Sequence, residues 1–372
     1  MMEQPSLLFI LVAFVAVLGP LVFFHELGHY GVARLFGIKA EAFSIGFGRE
    51  IVGWNDRRGT RWKVGWLPLG GYVKFAGDAD AASRPERGDT DPDHFHNRPV
   101  WQRFLVVLAG PMANFLIAIL IFAAFFATIG TLQPAPAVVG GVEPDTPAAS
   151  VGLEEGDRIL SIDGRETVDF NAITRTVILR PGAEVPIAFE RDGAVFERTV
   201  RLDAHIETDA YGQEHEIGRL GITQALGERR TMGPLAALVL GAERVWVLLG
   251  WMVDGLGQII FGTLSVEQLG GPIKMAQVSG QQAALGWEAA VGLAALISIN
   301  LGFINLLPIP MLDGGHLLFY AIEAIRRRPV SDAAQEWAFR GGLALLAAFF
   351  LFVTLNDLAS IGLVERIGRL IG

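Results

Sequence analysis

Residues Val22–Val32 read VFFHELGHYGV and close an apolar run that begins near Ser6. Two histidines and a glutamate in so greasy a segment need a reason, because ionisable groups inside a membrane span are costly and mark function. The rest of the chain agrees with a membrane setting. Its 372 residues are 51% hydrophobic and 19% charged, too apolar for an ordinary soluble enzyme and long enough for several units. Cysteine is absent, which excludes disulfides and thiolate metal sites, so any metal must be held by His, Asp or Glu.

Three segments are long and apolar enough to span by themselves: 6 to about 24, 104 to about 129, and 343 to about 355 with its flanks. A fourth, 289–307, is apolar apart from Ser298, Asn300 and Asn305, and about 20 residues suffice to cross. Four spans are therefore expected. The first is expected to be a retained helix, because MMEQPS offers no basic region of the kind that precedes a signal peptide.

Orientation follows from Lys and Arg. Residues 31–103 hold twelve of them, and IRRRP (Ile325–Pro329) follows the third span, which places both loops in the cytoplasm. The region 131–230 then lies outside, with ten Arg and no Lys against eighteen Asp and Glu. Residues 234–262 are apolar, but a crossing there would put IRRRP outside, and Glu243, Arg244 and Asp254 argue against burial in lipid. That segment is expected to lie on or dip into the outer interface.

At about 1.5 Å per residue, His25 lies roughly 28 Å along the first helix, near the cytoplasmic side of a hydrocarbon core about 30 Å thick. His25 and His29 are four apart and share a helix face, with Glu26 beside them. This is the HExxH spacing of zinc hydrolases, in which the imidazoles bind the ion and the glutamate acts as general base. A catalytic zinc takes a third protein ligand. The third span runs inward and reaches the same depth at NLLPIPMLDGGH (Asn305–His316), which makes Asp313 and His316 the candidates. Asp313 is favoured. Pro308 and Pro310 end the helix, and Gly314 with Gly315 is expected to permit an unusual turn that aims a side chain at the first helix. Asp313 also suits a helix N-cap. His316 is expected to pack in the helix that follows or to hydrogen-bond nearby. His94 and His96, in DPDHFHNRP, are expected in a mobile solvated loop rather than on a metal.

HELGH, LAGPMANF (Leu108–Phe115), GPIKMAQVSG (Gly271–Gly280) and NLLPIPMLDGGHLLF occur in an order that resembles the site-2 protease family of intramembrane zinc metalloproteases, in particular its bacterial regulator of sigma-E members. The resemblance covers nearly the whole chain. It implies Zn2+ held by His25, His29 and Asp313, Glu26 as the catalytic base, and Asn305 on the substrate backbone. It also implies a single-span membrane protein as substrate, either an anti-sigma factor already shortened outside or a leftover signal peptide. One departure is plain: the familiar enteric proteins carry two tandem PDZ domains, and this chain has room for one.

That domain reads as a strand, a Pro-containing turn, a short helix and the strand GDRILSIDG, followed by a hairpin about Asp192-Gly193. It resembles a circularly permuted bacterial PDZ domain. Gly218, Leu220, Gly221 and Ile222, in GRLGI, are the candidate groove for a peptide terminus. In the cytoplasmic loop, Phe43–Gly77 alternates as short strands split by NDRRG and PLGG. An exposed edge there at Gly70, Gly71 and Tyr72 is expected to hold substrate extended, since a helical peptide bond must be unwound before it is cut. Gly110 and Asn114 suit a packing face of the second span, with Asn114 assigned to packing or to a hydrogen bond behind the metal ligands.

The expected fold is thus a polytopic α-helical membrane protein with a membrane-associated β region and one inserted PDZ-like α+β domain. Its parts are the first transmembrane helix within 1–42, the β region at 43–77 and a linker at 78–100. The second transmembrane helix occupies 101–130, the PDZ-like domain 131–225 and interfacial helices 226–287. The third transmembrane helix lies within 288–318, a cytoplasmic loop at 319–335 and the fourth helix within 336–372. The expected location is a bacterial inner membrane, N-terminus and PDZ-like domain outside. The expected partners are the lipid bilayer, the membrane-protein substrate and a PDZ peptide ligand, with no nucleic acid. Two other classes stay open, a catalytically silent PDZ scaffold and a metal or proton transporter; no internal repeat favours the latter.

Overall fold

A computed structural model describes residues 5–78, 91–132, 137–208, 214–225, 229–261 and 270–360. The chain begins with α1 (Leu7–Leu35), capped by Ser6, whose hydroxyl accepts the Phe9 N–H. It continues through β1 (Ala40–Asn55), β2 (Arg61–Phe75), a 3-10 turn at Phe95–Asn97 and α2 (Val100–Thr128). Next come β3 (Thr131–Leu132), β4 (Val139–Val142), α3 (Pro147–Ser150), β5 (Arg158–Ile162), β6 (Arg165–Glu166) and α4 (Phe170–Ile178). Then follow β7 (Glu184–Arg191), β8 (Ala194–Arg201), β9 (Asp203–Thr208), β10 (Glu214–Arg219), β11 (Ile222–Gln224) and β12 (Arg229–Arg230). The chain closes with α5 (Pro234–Ile260), α6 (Pro272–Ala284), α7 (Trp287–Leu306), α8 (Asp313–Arg326) and α9 (Asp332–Ser360). It divides into two units, 1–124 with 234–372, and 125–233.

In the first unit, α1, α2, α5, α7 and α9 are long and apolar enough to cross a membrane. Among the described residues that is one more than the four expected from hydropathy and charge, the addition being α5. This helix runs along α2 in the opposite sense. Gly241 sits on Ile119 and Ala123, while Val245 and Leu248 share a cluster with Phe115, Ala118, Ala295 and Ile299. The neighbouring α6 lies against α1, with Met275 beside Val17 and Leu21 and Gly280 against Ile10. Asp357 of α9, fully buried, accepts hydrogen bonds from the backbone N–H groups of Gly271, Ile273 and Lys274 at 2.8–3.0 Å and so caps α6 from another helix.

The β region is two long bent strands rather than several short ones. Phe43 has Val73 on one side and Trp62 on the other, and Trp62 in turn faces Trp54. Four segments therefore lie side by side in the order 50–55, 61–65, 40–47 and 70–75, which leaves 70–75 at an edge. The sheet is fastened to α1 by Tyr30, whose hydroxyl donates to Asp56 at 3.0 Å. Asp56 also accepts from Trp62 Nε1 and from the backbone N–H groups of Arg58 and Thr60. Partial burial would raise the Asp56 pKa, and these four donors outweigh it, holding the carboxyl at about 2.

The expectation of a mobile loop at His94 and His96 is corrected by packing. Phe95 is buried and stacks on Phe75 at 5.0 Å, and His96 Nε2 lies 2.8 Å from Asp78 Oδ1. An aromatic between two histidines supplied the apolar anchor that the Asp and Pro content obscured. The linker expected at 78–100 otherwise lies largely outside the described residues.

The second unit is built around an apolar core of its own. β7 alternates Val185, Ile187 and Phe189 inward, and these join Ile159, Ile162, Val200, Leu202, Ile173, Val177 and Leu220 in one core. β6, β5, β7 and β8 form a four-stranded sheet, while β11 pairs with β4 and β9 with β10. Asp192 and Gly193 both have positive φ, as a two-residue hairpin turn of the twist-matched kind requires. Arg191 grips the buried Asp157 with two hydrogen bonds of 2.7 Å. Burial pushes the Asp157 pKa up, and the guanidinium more than offsets it, leaving it lowered.

Candidate active site

His25 and His29 leave the same face of α1, and their Nε2 atoms are 3.3 Å apart. Asp313 Oδ2 lies 3.2 Å from the first and 3.5 Å from the second. One ligand atom from each of the three residues falls within a 4.8 Å sphere of mutual distance. Asp313 Oδ2 is buried with no hydrogen-bond partner among the described residues, although it faces two imidazoles. An orphaned carboxylate oxygen and two ring nitrogens turned toward one point is the donor set that zinc takes. His29 Nδ1 donates to the Val106 carbonyl at 2.9 Å, which fixes the tautomer that leaves Nε2 with its lone pair.

Why these side chains meet is a matter of missing side chains elsewhere. A Cβ on Gly110 of α2 would land on the His29 ring, and one on Gly28 of α1 would strike the Ala109 carbonyl. Each helix thus carries a glycine where the other approaches most closely. Ser298 of α7 donates to the Asn114 carbonyl at 2.8 Å and ties a third helix to the pair.

At the other end of the site, α7 stops at Leu306 and α8 starts at Asp313. The expected unusual turn is present but lies at Met311, whose φ is +83°. Gly314 and Gly315 serve otherwise: they are helical, and a Cβ on either would run into the main chain of 306–310. The helix start can therefore press against the Pro-rich loop, and that sets where Asp313 points. The cap position is Leu312, so Asp313 is the first helical residue rather than the N-cap.

Glu26 is buried beside the histidines, where the sheet edge at Gly71, Tyr72 and Val73 comes up against it. Gly71 makes that approach possible, since a Cβ there would meet Val22, Glu26 and the Ser44 carbonyl. A cavity of about 520 Å³ collects these groups, and its wall includes Gly70, Gly71, Tyr72, Asn305 and His316. His316 is three residues beyond Asp313 on the same helix face, with Phe339 5.3 Å away, so it both packs and lines the cavity. All the residues expected from the HELGH and LDG stretches, and the β-edge residues, are thus in one place. Gly218, Leu220, Gly221 and Ile222 belong to the second unit. There the Leu220 and Gly221 carbonyls already accept from Ala148 and Glu143, and Ile222 pairs with Val142.

Residues 13–349 match Peptidase family M50. The chain belongs to this family. A protein of Rhizobium meliloti (strain 1021) whose name describes it as a zinc metalloprotease is 44% identical over 93% of this chain and 95% of its own length. The metalloprotease MmpA of Caulobacter vibrioides is 39% identical over 98% of each chain. A solved PDZ domain of an SdrC-like protein from Listeria monocytogenes is 25% identical over 25% of this chain and 92% of its own, with a TM-score of 0.20. As an M50 member with relatives of this kind, the chain is a zinc metalloprotease and a multi-pass membrane protein, and Zn2+ is its cofactor.

Proposed function

We propose that this M50 chain hydrolyses a peptide bond within or beside the transmembrane segment of a single-span membrane protein, with His25, His29 and Asp313 as the zinc ligands and Glu26 as the base. The observation that carries the reading is the convergence of the three donors, from two distant stretches of chain, on one buried point beside Glu26. When bound, zinc supplies Lewis-acid polarisation of the scissile carbonyl and makes water acidic enough to ionise near neutral pH. Glu26 takes the proton of the attacking water and delivers it to the leaving nitrogen. Asn305, on the cavity wall, donates its amide N–H to the substrate backbone or to the developing oxyanion.

The edge segment at Gly70, Gly71 and Tyr72 holds the substrate as an added strand. Backbone groups freed by unwinding a helix in lipid then find partners. The edge position of 70–75 and the Gly71 approach to Glu26 support this, since they put a strand-pairing surface beside the base. An anti-sigma factor shortened outside the membrane and a remnant signal peptide are the substrate classes. The unit 125–233 is read as PDZ-like, with Gly218, Leu220, Gly221 and Ile222 receiving a peptide terminus at the edge of β11.

The chain is assigned to a bacterial inner membrane with four full crossings, the second unit periplasmic and the active site near the cytoplasmic face. In this scheme α5 enters from outside along α2 and α6 leads back out along α1, so the pair does not change the parity and IRRRP stays inside.

The test is Glu26→Gln in the purified full chain, assayed for bound zinc and for cleavage of a membrane segment in proteoliposomes. Retained zinc with cleavage reduced by about 10²–10⁴-fold is expected; undiminished cleavage would remove Glu26 from the mechanism.

A further inference from the structure

α1 and α2 run in opposite directions, and their key residues share one spacing. His25 and His29 are four apart on α1, and Gly110 and Asn114 are four apart on α2. Gly110 lies under the His29 ring, and Asn114 Nδ2 lies 3.1 Å from His25 Nδ1. Each histidine therefore has its own residue on α2. Asn114 is 0% exposed, and its Oδ1 is buried without a hydrogen-bond partner among the described residues.

As placed, the amide nitrogen faces Nδ1 and can only donate, which requires a lone pair on Nδ1 and sets the His25 proton on Nε2. That nitrogen is the one 3.2 Å from Asp313 and 3.3 Å from His29. A protonated Nε2 offers no lone pair to a cation. Turning the amide by 180° exchanges two atoms of nearly the same size and position. Oδ1 then accepts from His25 Nδ1–H, and Nε2 is released toward the other two ligands. The orientation as placed is not secured by its other hydrogen bonds, since Oδ1 there has no donor among the described residues. The lone pair that His25 must supply chooses between the two orientations. His29 already follows the same rule, with Nδ1–H donated to the Val106 carbonyl.

We propose that Asn114 is a positioning residue that accepts the His25 Nδ1–H through Oδ1 and so fixes the tautomer in which His25 binds zinc. This rests on His25 being a zinc ligand. Ligand imidazoles depend on such acceptors, and losing one weakens metal binding by about 10–100-fold. The side chain of Asn114 is thus tied to the metal site rather than to helix packing alone, while its main-chain carbonyl is held by Ser298.

The full chain is purified, stripped of metal and titrated with zinc against a chromophoric chelator. Asn114→Leu fills the same space without an acceptor and is expected to bind zinc about 10–100-fold more weakly. Asn114→Asp can only accept and is expected to bind as tightly as the natural residue or more tightly. Wild-type affinity in Asn114→Leu would overturn the proposal, and so would an equal loss in a folded Asn114→Asp. His25→Ala separates the two readings: undiminished zinc affinity there would break the ligand assignment itself, whereas a loss there beside wild-type affinity in Asn114→Leu would break only the role of Asn114. If Asn114→Asp does not fold by circular dichroism and gel filtration, cobalt-loaded protein decides by NMR. Two exchangeable, strongly shifted imidazole N–H signals are expected in the natural chain, one of them lost in Asn114→Leu. A single signal in the natural chain would overturn the proposal.

Discussion

The two units of this chain solve the burial problem in opposite ways. In 125–233 the interior is a cluster of Ile, Val, Leu and Phe under a polar surface, and even the buried Asp157 is answered by Arg191. In the membrane unit the outward faces carry Leu7, Leu8, Val12, Leu116 and Phe350, all exposed, while His25, Glu26, His29, Asn114 and Ser298 are inside. Water drives the first arrangement through apolar burial. Lipid offers no such gain, so close helix approach and interior polar contacts must hold the second together. Small residues in one unit thus do the work that large ones do in the other.

The sharpest way to break this contrast is at Glu26. Glu26→Gln should remove most proteolysis and leave zinc content and the melting of the second unit unchanged, which assays and calorimetry on one sample would read. Gly110→Ala comes next, since one added methyl must displace the His29 ring; zinc affinity measured by chelator competition should fall at least about tenfold. Unchanged affinity would mean that the α1–α2 contact is looser than the geometry requires. The reverse change belongs to the second unit. Ile159→Ala should destabilise that unit by about 2–5 kcal/mol, read by limited proteolysis within 125–233, with zinc binding intact.

The smallest effect is set by acid. The Asp56 carboxyl is held at about 2, below its ordinary value of 3.8. Its contribution to anchoring the sheet on α1 is therefore present above pH 4 and is lost as pH falls toward 2. Fluorescence of the β-region tryptophans should change over that interval in the natural chain and change less in Asp56→Asn.

What could be read from the residues alone follows from how local each contact is. The His25, Glu26 and His29 constellation lies within one helical turn, so spacing sufficed. Asp313 was within reach because a membrane gives depth as a coordinate, and two helices of known direction must meet at one level. The glycine contacts were not legible, because whether Gly28, Gly71 or Gly110 is needed depends on what approaches it. Spacing marks Gly110 as a packing position without naming its partner, and the residue types point the unusual backbone to Gly314 and Gly315, whereas it lies at Met311. The cap on α6 is hidden from the sequence for a similar reason. Its sequence starts with Gly271-Pro272 and offers no side-chain cap, a local sign that a distant acceptor is needed, but nothing local points to Asp357.

The reciprocal glycine contact also bears on how the protein lives without its ion. A zinc finger acquires its shape only when the metal arrives, so that chelators unfold it. Here the close approach of two helices already seats the His29 ring against Gly110, and Asn114 already meets His25. Stripping the ion should leave a folded apoprotein that reloads at once when zinc returns, and supply of the metal, rather than chaperoned refolding, would then govern how quickly activity recovers.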